Sequence, residues 1–177
     1  MGNVMDYLEW RGDLTFDQSP FNDVDNVILS QLAYVNFRDV IPSVQMNKGI
    51  TLKAAAQLFF DLHTEEELMQ DKSFIKDAPK LLKKAAQTNR FRDVILSDYV
   101  DMVDETLEKQ FGAFHIKLSP QCTYVAFRGT DDTLVGWKED FNMSFISPVP
   151  SQADAVKYLD DTCSYIRGKL YVGGHSK

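Results

Sequence analysis

Two short β-type runs, 123–127 and 169–172, flank a stretch of helical spacing from Ser151 to Arg167. Strand, crossover helix and strand within one sheet make a right-handed unit with parallel strands, because a right-twisted strand feeding a right-handed helix packs back onto the sheet only that way. This unit narrows the architecture more than any other feature of the chain. It calls for an α/β fold and brings the C-terminal ends of both strands to one edge of the sheet, where α/β proteins build their ligand sites. Within the crossover, Val156, Leu159, Cys163 and Ile166 are expected to form the packed stripe. Gly168 ends the helix, and Lys169 to Val172 reads as a short buried strand.

Ahead of this unit the pattern is helical. Residues 1–22 are turn-rich and acidic, carry Tyr7, Trp10, Phe16 and Phe21, and read as an arm packed onto the domain. From Val24 to Phe37 the apolar positions Val24, Val27, Ile28, Leu32 and Val35 recur at helical spacing; Asn22 or Asp23 caps the start, and Pro42 closes the segment. A second helix is expected over Leu52 to Leu62 behind Thr51. Thr64 and Glu67 read as the capping box of a third, and a fourth begins near Pro79 and runs to about Thr88. The character then turns to β. Val94 to Leu107 and Gly112 to Leu118 are expected to pair antiparallel around Lys109-Gln110, with Ser119-Pro120-Gln121 turning into the strand at 123–127. The chain thus divides into an arm and helical section, 1–92, and the first part of a sheet, 93–177, within one incomplete domain.

The length of 177 residues, with 44% hydrophobic and 25% charged residues, is that of one globular domain or a piece of one. A net charge of −7 and a pI near 4.9 speak against a nucleic-acid surface. The densest basic spot, Lys83-Lys84, reads as the solvated face of a helix. No apolar run approaches the length of a membrane span, the N-terminus has no secretory pattern, and Cys122 and Cys163 are too few for a disulfide framework. A cytosolic protein without an integral membrane segment is expected; the oligomeric state is not encoded in any of these features.

The last strand runs into Gly173-Gly174-His175-Ser176-Lys177. Four of the five positions of a Gly-x-Ser-x-Gly turn are filled by Gly174, His175, Ser176 and Lys177, and a glycine after Lys177 would complete it. Such a turn holds its serine on a strained strand-to-helix bend, where a side chain two residues to either side would collide with neighbouring backbone. Ser176 is therefore the candidate nucleophile. The companion strand runs into Arg128-Gly129-Thr130. With the strands parallel, the Thr130 N–H comes beside Ser176, and the N–H of Lys177 is the second donor of an oxyanion hole. Two such donors contribute a few kcal/mol each to lowering the barrier. In this arrangement the acid and the histidine follow the serine in chain order. Both are thus expected after residue 177, and residues 1–177 alone are expected to turn over no ester.

These stretches resemble the class 3 (fungal-type) lipases, and more closely their bacterial lipase-like relatives. The matching segments are TYVAFRGTDD at 123–132, GWKEDF at 136–141, Val149-Pro150 with Ala155 and Tyr158-Leu159 in the helix that follows, and LYVGGHSK at 170–177. The opening at 6–13 resembles the N-terminus of the bacterial branch. The resemblance implies an α/β-hydrolase fold, of which this chain is the N-terminal part, with Ser176 as nucleophile and Thr130 and Lys177 as oxyanion donors. The implied activity is hydrolysis of a small-molecule or lipid carboxylic ester through an acyl-enzyme. Many of those lipases carry leucine after the serine; the polar Lys177 argues against a purely lipidic substrate. The alternative is a non-catalytic hydrolase-like interaction module in which the turn persists as scaffold.

Other residues of chemical interest read as structural. His175, adjacent to the serine, is expected to turn its ring away from the hydroxyl. Arg128 and Asp140 are expected to form a buried pair bracing the oxyanion loop, with Gly129 and Gly174 shaping the site. Trp137 reads as core packing, His63 and His115 as ordinary surface or core histidines, and Cys122 and Cys163 as inert thiols. No metal or organic cofactor is expected. Asp23-Val24-Asp25-Asn26 continues with Val27 and Ile28 and so breaks the calcium-loop pattern, and Gly174-His175-Ser176-Lys177 reverses the Lys-Ser order of a phosphate loop.

Overall fold

The computed structural model describes residues 2–44, 48–70, 77–104, 106, 109–129, 137–138, 141–145 and 147–175, and of 65, 69 and 70 the backbone only. The segment expected to be an irregular arm contains a helix, α1, over Val4–Arg11. Asn3 starts it: its side-chain oxygen accepts from the N–H groups of Met5 and Asp6, while Asp6 accepts from the Asn3 N–H at 2.8 Å. The same reciprocal cap, from Asn22 and Asp25, starts α2 at Asp23–Leu32, earlier in its ending than the expected Val24–Phe37. Helix α3 (Leu52–Leu62) begins at its Thr51 cap behind the two-residue strand β1 (Ile50–Thr51). Thr64 and Glu67 cap α4 (Glu65–Gln70) in both directions, and α5 (Ala78–Ala85) carries Pro79 in its first turn.

The sheet has five strands in sequence order: β1, β2 (Ile95–Asp104), β3 (Lys109–Ser119), β4 (Cys122–Arg128) and β5 (Lys169–His175). The first three pairings are antiparallel. Lys109 and Gln110 lie inside β3, opposite Asp104 and Val103, and not at the turn expected around them. The last pairing, β4 with β5, is parallel as expected, with Tyr124 opposite Tyr171 and Arg128 opposite His175. The connection runs through α6, over Pro150–Cys163. Gly168, at φ +95°, then brings the chain against Gln121, where a Cβ would lie 2.3 Å from the Gln121 carbonyl oxygen. Only glycine fits both conditions.

Strand alternation divides the core. Phe114, Ile116, Tyr124 and Ala126 face the N-terminal helices, where they join Ile28, Leu29, Leu32, Phe37, Leu52, Phe59 and Leu82 in one apolar cluster. Phe111, Ala113, Val125 and Phe127 face the other way and pack on Tyr158 of α6. Of the expected α6 stripe, Leu159 and Cys163 do pack against this cluster, whereas Val156 is exposed and the most deeply buried positions are Ser151, Tyr158 and Thr162. β5 is not a buried strand. It forms the sheet edge, and Leu170 and Val172 on the α6 side are 40% and 51% exposed. Among the described residues no helix is long and apolar enough to cross a membrane.

Candidate functional site

One row of residues crosses four strands at the edge where β4 and β5 end. Asp101 on β2 is opposite Gly112 on β3, Gly112 is opposite Arg128 on β4, and Arg128 is opposite His175 on β5. Side chains in such a row share one face of the sheet. Asp101 and Arg128 are two strands apart, about 9.5 Å between backbones, and a side chain between them would block any contact. Glycine leaves the path open: a Cβ on Gly112 would lie 3.2 Å from the Arg128 side chain. The Arg128 guanidinium passes over it and donates to Asp101 Oδ1 at 2.6 Å. Arg38 donates to the other oxygen of Asp101 at 3.2 Å. The brace on Arg128 therefore comes from Asp101, which the sequence reading did not single out, although a lone glycine inside a strand signals such a close approach. The expected partner, Asp140, lies outside the described residues, as do Ser176, Lys177 and Thr130. Gly129, directly after β4, is buried.

At the end of β5 the His175 ring lies edge-on against Tyr34, their centroids 5.6 Å apart. The Tyr34 hydroxyl donates to the His175 carbonyl oxygen at 2.9 Å and lies 3.1 Å from Nδ1. One hydroxyl proton serves one acceptor, so with it on the carbonyl, Nδ1 carries the hydrogen and donates back. His175 is thereby held by the segment after α2. Two residues earlier, Gly173 is even more constrained. A Cβ there would lie 2.1 Å from the Tyr124 hydroxyl oxygen and 2.5 Å from Asn26 Oδ1, two groups that hydrogen bond to each other at 2.9 Å. At Gly174 a Cβ would lie 3.0 Å from the Phe127 carbonyl oxygen. Close approach to Tyr124 and α2 thus requires glycine at 173, and the close contact with β4 favours it at 174.

A second polar cluster lies under α6. His115 Nε2 is 2.9 Å from the Thr162 hydroxyl and Nδ1 is 3.6 Å from Asp98 Oδ2, an acid–imidazole–hydroxyl order. It is not a nucleophilic set. Thr162 is buried on a helix and its proton goes to the Tyr158 carbonyl at 2.6 Å, so the imidazole donates to the hydroxyl and takes no proton from it. Asp98 Oδ2 accepts from Ser97, and the Tyr158 hydroxyl donates to the Asp98 carbonyl at 2.7 Å. Burial outweighs the nearby Asp98 carboxylate and holds the His115 pKa below its ordinary 6.5. On acidification the unfolded chain then binds the proton first. The contribution of neutral His115 is complete above pH 6.5 and is lost as pH falls through and below that value. A urea midpoint that declines between about pH 7 and 5, with the decline reduced in His115→Gln, is the expected result; equal slopes in both proteins would remove His115 from the account.

The remaining candidates are distributed as follows. Cys122 and Cys163 are half-buried, and burial raises both thiols, which disfavours the reactive thiolate. His63 stacks on Phe59 at 4.7 Å. Trp137 is 59% exposed, so the expectation of core packing fails: the segment after β4 presents Trp137, Phe141 and Phe145 to solvent. Comparison with curated proteins and with solved structures gave no match. A family model for Mbeg1-like proteins matches residues 85–177, which span the end of α5, all of β2 to β5 and the Gly-His-Ser sequence at 174–176. With more than half of its 177 residues matched, the chain belongs to the Mbeg1-like family.

Proposed function

We propose that this chain is the N-terminal part of a lipase-like serine hydrolase of the α/β-hydrolase fold, resembling the class 3 lipases, in which Ser176 attacks a carboxylic ester. The observation that carries the reading is the parallel register of β4 and β5, with Arg128 opposite His175. The residues that follow each strand leave the sheet at the same edge, as an oxyanion loop at Gly129-Thr130 and a nucleophile turn at His175-Ser176 require. In this reading the Ser176 hydroxyl adds to the ester carbonyl and passes its proton to a histidine later in the whole protein, itself oriented by an aspartate. The N–H groups of Thr130 and Lys177 hold the oxyanion, the alcohol leaves with the proton returned by the histidine, and water then releases the acid from Ser176. The Asp101–Arg128 brace and the Tyr34 clamp on His175 hold the bases of the two loops. The exposed edge of β5 also suits the reading, since Leu170 and Val172 would be covered in a hydrolase sheet that continues past this strand.

Labelling with a fluorophosphonate tests the proposal. In the whole protein the probe should modify a single serine, Ser176, identified by peptide mass spectrometry, and Ser176→Ala should abolish the signal. Undiminished labelling of the variant would mean that another residue is the nucleophile.

A further inference from the structure

We infer that the helical section carries a binding groove for a fatty acid, independent of the proposed ester chemistry. The groove, about 990 Å³, opens between α3, α4 and α5 and shares no lining residue with the β4–β5 edge. One face of α3 supplies Lys53, Ala56 and Phe60, and the facing side of α5 supplies Lys80, Lys83 and Ala86. Small side chains at Ala56 and Ala86 leave the volume open. Phe60 and Leu68 of α4 give it apolar walls, and its size lies at the upper end of small-molecule pockets.

The charge of this lining is opposite to that of the chain. Against a net charge of −7, the described residues lining the groove include Lys53, Lys80, Lys83 and Arg92, together with His63, and among them one acid, Asp77. Asp77 is paired with Lys80 at 2.8 Å, and Arg92 contacts Asp93 at 3.1 Å. Lys53 and Lys83 have no acidic partner among the described residues, and they give the groove its positive surplus. Lys83 Nζ sits 5.9 Å from the centre of the Phe60 ring, which puts a cation directly beside the apolar wall. A ligand complementary to that juxtaposition has its anion adjoining its apolar portion. Lysine, a point charge without the planar fork of arginine, meets a carboxylate by charge alone, and the apolar wall beside it favours an anion that carries an acyl chain. Each methylene buried along Phe60 and Leu68 adds affinity, so the acyl chain supplies most of the binding and the lysines select its charged end.

Isothermal titration of the whole protein below the aggregation concentration of each ligand decides the matter. Dodecanoate should bind, octanoate more weakly, and acetate and dodecanol weakly or not at all. The double variant Lys53→Glu/Lys83→Glu should weaken dodecanoate about tenfold or more, as should the milder Lys53→Gln/Lys83→Gln to a lesser degree. Both lysines are exposed, and circular dichroism checks that the fold is kept. Dodecanol binding as tightly as dodecanoate, acetate binding as tightly as dodecanoate, or undiminished binding by both double variants would each overturn the assignment. Fluorophosphonate labelling of Ser176 does not depend on this groove, so failure of either idea leaves the other standing.

Discussion

Arg90→Ala should lower the stability of the fold by about 3–5 kcal/mol, a large share of what a domain of this size has. Arg90 and Asp25 are each 0% exposed and pair through two contacts, Nε to Oδ1 at 2.7 Å and Nη2 to Oδ2 at 2.5 Å. The rest of the guanidinium collects carbonyl oxygens from the N-terminal segment: Leu14 at 3.2 Å, Ser19 at 3.1 Å and Pro20 at 3.2 Å. Its plane also lies over the Phe16 ring, 4.3 Å from the centroid. Removing the arginine leaves a buried carboxylate uncompensated and strips these loop carbonyls, and that of Thr15, of their donor, and burial is what makes both losses large. Asp25 is also the capping partner of Asn22, so the damage extends to the start of α2. A shift in the guanidinium unfolding midpoint measures it. Replacing both partners, Arg90→Met with Asp25→Leu, should cost less than Arg90→Ala alone, because no lone charge remains; a single variant within about 1 kcal/mol of wild type would show that water reaches the pair.

In the whole protein, Ser176→Ala should reduce kcat for ester hydrolysis by about 10⁶-fold, since the members of a nucleophile–base–acid set act as a unit. Thr130→Ala should do far less. It removes a hydroxyl and spares the backbone donor, so its loss should stay below the roughly 10²–10³-fold of a deleted oxyanion donor, with little change in stability. The contrast separates chemistry from scaffolding. A wild-type protein no faster than Ser176→Ala on a panel of p-nitrophenyl esters would favour the non-catalytic interaction module.

Features set by local chemistry were legible in the sequence. Asn22 and Thr51 cap their helices, Thr64 and Glu67 form their box, and the parallel pairing of β4 with β5 follows from the helical crossover between them. What escaped was decided by distant neighbours. Val156 and Tyr158 both suit a helix face, and the sheet below receives Tyr158 on its Phe111–Phe127 cluster and Thr162 beside His115, leaving Val156 outside. The apolar run at 169–172 reads as buried on composition, but burial of a strand depends on what flanks it, and β5 has a neighbour on one side. Asp101 carries no local sign of its contact with Arg128, whereas Gly112, the residue that permits it, does. Ser176, Lys177, Thr130 and Asp140 lie outside the described residues, so the site was legible as a motif and its supports as geometry.

The order of the strands has a consequence for how the chain folds. β2, β3 and β4 are sequential antiparallel neighbours and pair by closing short turns. β5 can join only after the connection through α6 has closed, and that entropy is spent before any β4–β5 bond compensates it. Its docking also needs α2 and the segment beyond it already in place, to receive Gly173 under Asn26 and His175 against Tyr34. The strand bearing the Gly-His-Ser turn is thus a late element, and destabilising the α2 region should hasten its detachment before the antiparallel strands separate. Amide exchange along β5 would then report the integrity of the N-terminal helices, far from it in sequence.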